Sequence, residues 1–117
     1  MNTKPKFIPS DRFLKFLRNL SDKDRAKLVG TISLIESHEL YVAIRQLWVK
    51  KIEDNLFEIR SIQSNNIRRA IYFHIEENNY FITLGFTKKS NKTPQRQIDS
   101  AKRIRAKYLR RNDNDKK

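Results

Sequence analysis

Apolar residues recur at helical spacing in the first third of the chain. Phe13, Phe16, Leu17 and Leu20 follow Ser10 and Asp11, a capping residue and an acidic first turn. Ser21-Asp22-Lys23-Asp24 repeats that start signal, with a carboxylate three residues after the Ser. Leu28, Ile32 and Ile35 then share one face, flanked by Val29 and Leu34. The pattern predicts an αα-hairpin, roughly Ser10–Leu20 and Asp22–Ser37. From His38 to Asp54 the period is mixed. Leu40–Ile44 fits either a strand or a helix, Leu47-Trp48-Val49 is expected to tuck under a sheet, and Trp48 reads as core.

Beyond that point the period changes to two. Asp54-Asn55 signals a turn, and Leu56–Ile62 reads as a strand with Glu58 and Arg60 on one face and Phe57 and Ile59 on the other. After a second turn at Ser64-Asn65-Asn66 comes a longer strand, Ile67–Ile75. Ile67, Arg69, Ile71 and Phe73 point one way and Arg68, Ala70, Tyr72 and His74 the other. Glu76–Asn79 makes a polar hairpin loop, and Tyr80–Phe86 is the third strand; such short loops favour antiparallel neighbours. Thr93-Pro94 predicts a helix start, with Thr as N-cap and Pro at the first helical position. Ile98, Ala101, Ile104 and Tyr108 form its buried stripe; Arg96, Arg103, Lys107 and Arg110 lie opposite. Arg105 falls beside the stripe and must snorkel, pair or face a site. Residues 112–117 are expected to fray, which leaves one α+β domain over 1–117 with a core of about 10–110.

Composition sharpens the picture through charge. The chain has 117 residues, 26 Lys and Arg against 13 Asp and Glu, and a net charge of +13. Residues 1–54 carry 11 positive and 7 negative side chains, residues 55–87 carry 3 and 3, and residues 88–117 carry 12 and 3. A neutral β-rich third therefore feeds into a strongly cationic one, a footprint for nucleic acid or an acidic partner. Without Cys there is neither a disulfide framework nor a Cys zinc site, and His38 and His74 alone do not make a zinc site. No apolar run approaches a membrane span, so a cytoplasmic protein with no membrane partner is expected.

Three blocks carry a family resemblance. Lys50-Lys51-Ile52-Glu53-Asp54-Asn55-Leu56-Phe57-Glu58-Ile59-Arg60 resembles the pattern Lys-x-Leu-x-x-Gly-Leu-Tyr-Glu-Leu-Arg. Asn66-Ile67-Arg68-Arg69-Ala70-Ile71-Tyr72-Phe73 resembles the next block, with Arg69 at the arginine of its Tyr-Arg pair. Gly85-Phe86-Thr87-Lys88-Lys89-Ser90-Asn91-Lys92-Thr93-Pro94 is similar to Gly-Phe-x-Lys-Lys-x-x-Lys-Thr-Pro. The family is that of the RelE/HigB toxins of type II toxin–antitoxin systems, in particular the phage-derived HigB-like branch. The resemblance implies a microbial RNase-like RelE fold: the αα-hairpin packed on a small antiparallel-rich sheet, followed by the basic helix. It also implies ribosome-dependent, metal-independent cleavage of messenger RNA without a cofactor. The implied partners are the 70S ribosome with its message and a helix-turn-helix, HigA-like antitoxin that can join it in a heterotetramer.

Such cleavage uses the RNA 2′-hydroxyl as nucleophile. It needs a base for that hydroxyl, charge to stabilise the phosphorane, and help for the leaving 5′-oxygen. By resemblance Arg69 and Lys89 are the first candidates for phosphate contact, with Arg60 and Lys88 next. Lys51 and Lys92 are expected to touch RNA or ribosome, as are Arg96, Arg103, Lys107 and Arg110 on the helix. The chain also departs from the family. Two lysines of classical RelE strands read Leu56 and Glu58 here, the Tyr of the Tyr-Arg pair is Arg68, and the turn Gly is Asn55, which tolerates positive φ. Glu58 is either a base facing Arg69 or Lys89, or an ion-pair partner of Arg60 or Arg68. Tyr72 is either a base-stacking ring or a buried one, and His74 is either an acid–base group or a surface His near a hairpin. A gyrase-poisoning toxin of the ParE type and a non-catalytic nucleic-acid-binding regulator remain rival readings.

Overall fold

In the computed structural model, residues 3–60, 68–88 and 92–115 are described, with side chains through residue 111. A mixed five-stranded sheet is flanked by helices on both faces, an α+β architecture. In chain order the elements are β1 (Lys6–Pro9), α1 (Asp11–Arg18), α2 (Asp22–Glu36), α3 (Leu40–Arg45), β2 (Val49–Glu53), β3 (Leu56–Arg60), β4 (Arg68–Glu76), β5 (Asn79–Thr87) and α4 (Gln95–Asp115). The strand order is β1-β5-β4-β3-β2, antiparallel throughout except for the parallel β1–β5 pair.

The predicted αα-hairpin forms with both Ser caps in place. Ser10 Oγ accepts from the Phe13 amide at 3.0 Å and Ser21 Oγ from the Asp24 amide at 3.1 Å. Strand β1, which precedes the hairpin, was not anticipated from the sequence. Lys6–Pro9 is too short to show a period, and its one buried side chain, Phe7, gains meaning only from the sheet beside it. Its outer edge is partly closed by Glu36, whose carboxylate accepts from the Phe7 amide at 2.8 Å. The ambiguous Leu40–Ile44 stretch is helical, within α3.

Leu47 corrects the expectation that Leu47-Trp48-Val49 tucks inward as a unit. It is 68% exposed with φ 65°, whereas Trp48 packs against the core and Val49 is buried. Trp48 N–H donates to Ala43 C=O and Leu47 N–H to Ile44 C=O, so the helix ends in a left-handed Schellman turn that turns Leu47 outward. Asn55 takes φ 48° at the β2–β3 turn, as its side chain permits. The Ser64-Asn65-Asn66 turn, and residues 61, 62 and 67 of the predicted strands, lie outside the described residues.

Two apolar layers sandwich the sheet. Phe7, Ile59, Ala70, Tyr72 and Ile82 pack with Phe13, Leu28 and Ile35 of the hairpin on one face. Leu56, Ile71, Phe73, Leu84 and Phe86 pack with Ala101 on the other, joined by Ile98, Ile104 and Tyr108 as the stripe predicted. Gly85 lets α1 approach the first face, since a Cβ there would run into the Phe16 ring. Helix α4 starts one residue later than expected, because the Pro94 carbonyl receives the first helical bonds, from Gln97 and Ile98. It continues to Asp115, past Asn112 where fraying was expected; no Gly or Pro follows Pro94 to break it.

Candidate functional site

Strand alternation divides the α4 face of the sheet into two zones. Leu56, Ile71, Phe73 and Leu84 lie beneath α4. Farther along the same strands, Glu58, Arg60, Arg69 and Lys88 occupy that face beyond the start of the helix. Arg60 stands directly opposite Arg69, and Glu58 is the diagonal neighbour of Arg69 through its pairing with Ile71.

Glu58 is completely buried, and its partners differ from both ion pairs expected of it. Its Oε1 lies 3.5 Å from Arg69 Nε and 3.8 Å from Lys88 Nζ, and its Oε2 accepts from the Thr93 hydroxyl at 3.0 Å. Arg68, on the opposite face, pairs instead with Asp24 at 3.1 Å and donates to the Thr87 hydroxyl. With α4 starting at Gln95, Pro94 and not Thr93 is the residue before it. The Thr93 hydroxyl ties the entry of the helix to the carboxylate.

Burial lowers the Lys88 ammonium pKa below the usual lysine range. Glu58 opposes that fall, while Arg69, Arg60 and Lys50 add to it by repulsion. Burial also lowers the Arg69 guanidinium, with Glu58 again opposing and Arg60 reinforcing. The local charge does not balance. Glu58 is the only acid from Asn55 to Ile75, and no acid occurs from Asn78 to Ile98. One carboxylate thus meets Arg69 and Lys88 by contact and has Arg60 and Lys50 beside them.

Lys50 was missed as a site residue. A two-residue turn at Asp54-Asn55 would set Lys51 opposite Glu58. A register shift between Lys51 and Glu53 instead places Lys50 opposite Glu58 and Lys51 opposite Phe57. Both lysines are exposed and line, with Ile52, Lys92, Thr93 and Gln95, an open groove of about 280 Å³ beside the cluster. Lys89 lies outside the described residues.

The structure corrects the reading of Tyr72 as an RNA-stacking ring. It is fully buried on the hairpin face, stacked on Phe57 at 5.3 Å and edge-on to Phe7 and Tyr80. Burial also raises its phenol above the usual tyrosine range, so it stays neutral. His74 sits at the hairpin end of β4, with Nε2 2.7 Å from the Glu77 carbonyl and its ring against Tyr80, far from Arg69 along the strand. Arg96, Arg103, Lys107 and Arg110 are exposed along α4, Lys107 at the edge of its packed face. Arg105 is used structurally, donating to the Asp54 and Asn55 carbonyls at 3.0 and 2.8 Å and so holding the β2–β3 turn against α4. Among the described residues no cluster of His, Asp and Glu could hold a metal ion, and no helix is long and apolar enough to cross a membrane.

The chain is thus a small, basic α+β domain in which a buried carboxylate with surplus cations lies beside a cationic groove. Residues 15–106 match the family model described as "Phage derived protein Gp49-like (DUF891)". The chain belongs to this Gp49-like family, a RelE-like toxin family of toxin–antitoxin systems. No curated protein matches it.

Proposed function

We propose that the protein is the toxin of a type II toxin–antitoxin system, of the HigB-like branch and with the RelE-type microbial RNase fold. It acts as a metal-independent endoribonuclease on messenger RNA at the ribosome. The observation that carries the proposal is the charge excess at Glu58: Arg69 and Lys88 touch it, and Arg60 and Lys50 flank them. A purely structural ion pair needs one cation per carboxylate. The surplus here suits a phosphodiester, whose charge grows in the phosphorane transition state.

In this reading Arg69 and Arg60, opposite each other on adjacent strands, hold the scissile phosphate. Lys88, with its lowered pKa, has the neutral amine more accessible than an ordinary lysine and takes the 2′-hydroxyl proton. The 2′-oxygen then bonds to phosphorus, the bond to the 5′-oxygen breaks, and that oxygen gains a proton from water. A 2′,3′-cyclic phosphate and a 5′-hydroxyl result. Glu58, with no exposed surface, is a positioning residue that orients Arg69 and Lys88 rather than the base. Lys89, next in the chain, is the further phosphate contact that the sequence implies. Lys51, Lys92 and the outer cations of α4 dock the protein on RNA. A HigA-like antitoxin neutralises it, within a heterotetramer, in the cytoplasm.

The deciding experiment is expression without the antitoxin, followed by primer extension on translated messages. Growth arrest with new 5′ ends inside coding regions is expected, and Arg69→Ala and Lys88→Ala should remove both. Intact messages with gyrase-linked DNA damage would establish the ParE-type activity instead. Intact messages with intact DNA would leave a binding regulator.

A further inference from the structure

A second cavity lies away from the Glu58 cluster, between the start of α1, β5 and the far half of α4. Its volume is about 260 Å³. Phe81, Ile104 and Tyr108 line it, and Arg12, Lys107 and Arg111 bring three cations to it. Phe81 and Tyr108 are half-buried, with ring centroids 4.4 Å apart, and Phe73 backs both at 5.7 and 5.8 Å. Phe81 and Tyr108 thus line the cavity on a buried Phe73. The polar groups at the base are already engaged. Ser10 Oγ donates to the Thr83 carbonyl, and Thr83 Oγ1 donates to the Ile71 carbonyl. No acidic side chain lines the cavity among the described residues.

We propose that this cavity is a separate subsite for single-stranded RNA, receiving one unstacked base against Phe81 and Tyr108 with its phosphates on Arg12, Lys107 and Arg111. An aromatic floor with a cationic rim matches a nucleotide in both parts: every base has a π-face, and every linkage carries a negative charge. Ser10 and Thr83 spend their hydroxyl donors internally, so neither donates to a base. Tyr108 lies about 20 Å along α4 from Gln95, so the subsite engages nucleotides remote from the Glu58 cluster. The choice of RNA rests on the reading above, but occupancy does not depend on cleavage.

The test uses the full chain and a 2′-O-methyl oligonucleotide carrying 5-iodouridine, which cannot be cut because its 2′-oxygens are blocked. After irradiation, peptide mass spectrometry is expected to find the adduct on Tyr108 or Phe81. Arg12→Ala with Arg111→Ala, both exposed, should lower the slope of log affinity against log salt by about 1.4, at about 0.7 for each lost phosphate contact. Adducts confined to other residues, or a double variant with the wild-type slope, would overturn the subsite. Arg69→Ala with Lys88→Ala, with circular dichroism showing the variant folded, must leave the adduct in place; its loss from the folded variant would show that the cavity is no independent site. Placing a photoreactive benzoyl-phenylalanine at position 81 and irradiating the protein on programmed ribosomes separates the sources. An adduct to the message or to ribosomal RNA supports the subsite in either case, and an adduct to neither rejects it. Persistence of the adduct in a protein that cuts no message would leave the subsite standing and remove the nuclease reading.

Discussion

Replacing Glu58 with Gln separates a positioning carboxylate from a catalytic base. At an effective dielectric of about 20, a unit charge 3.5 Å away contributes about 5 kcal/mol and one 3.8 Å away about 4 kcal/mol. The cost of burying the three charges offsets most of this. Removing one partner from a buried ion pair costs about 3–5 kcal/mol, because the other is left uncompensated. Gln keeps an oxygen for the Thr93 hydroxyl, so the lower figure applies: about 3 kcal/mol, or a Tm lower by roughly 12 °C for a domain of this size. The pH dependence has a definite sign. Lys88 has a lower pKa folded than unfolded, so between those two values the unfolded chain binds more protons and stability rises with pH. Loss of Glu58 removes what holds the Lys88 pKa up. The stability rise then begins at lower pH, and the deficit of the variant narrows as pH approaches 10.5, the ordinary lysine value. The assay is calorimetry across that range beside translation-coupled cleavage at a temperature where the variant is folded. Positioning predicts that the alkaline rise in cleavage rate also moves to lower pH. A variant with the wild-type Tm and cleavage reduced by about 10² to 10⁴ would refute this reasoning and make Glu58 the base.

Gly85→Ala forces a Cβ into the Phe16 ring and should cost about 1–3 kcal/mol; chemical denaturation of Gly85→Ala, Phe16→Ala and the double variant should show the two losses to be less than additive. Tyr72→Phe removes a buried hydroxyl that has no hydrogen-bond partner among the described residues, so stability should rise by up to about 1 kcal/mol with cleavage unchanged; a loss of cleavage would return the ring to the RNA site. Arg105→Ala frees the Asp54 and Asn55 carbonyls and should cost about 1–2 kcal/mol, with faster amide exchange confined to the β2–β3 turn.

The expected αα-hairpin, the three long strands and the stripe of α4 follow from period and capping, and the structure contains them. These are local properties: a Ser that caps and an apolar residue every third or fourth position act within one turn of chain. What escaped were pairings between distant segments. Lys6–Pro9 becomes a strand because β5 offers it an edge. Thr93, one residue short of the helix, gives its hydroxyl to a buried carboxylate from a distant strand. Lys50, and not Lys51, stands opposite Glu58 because one irregular residue in β2 moves the register by one, and a strand side chain changes face with every such step.

Arg60, Arg69 and Lys88 were visible as candidates because they are cations at marked positions of recognisable blocks. The sequence alone determined that this protein is a small α+β domain with far more positive than negative charge in its last third, and that Glu58 has almost no acidic company nearby. Only the tertiary structure decided that Glu58 is buried between Arg69 and Lys88, that Tyr72 is core, and that Arg105 braces a turn. Charge and periodicity are carried by the chain itself. Burial and pairing are set by which strands lie side by side and in which register, and neither exists until the sheet has formed.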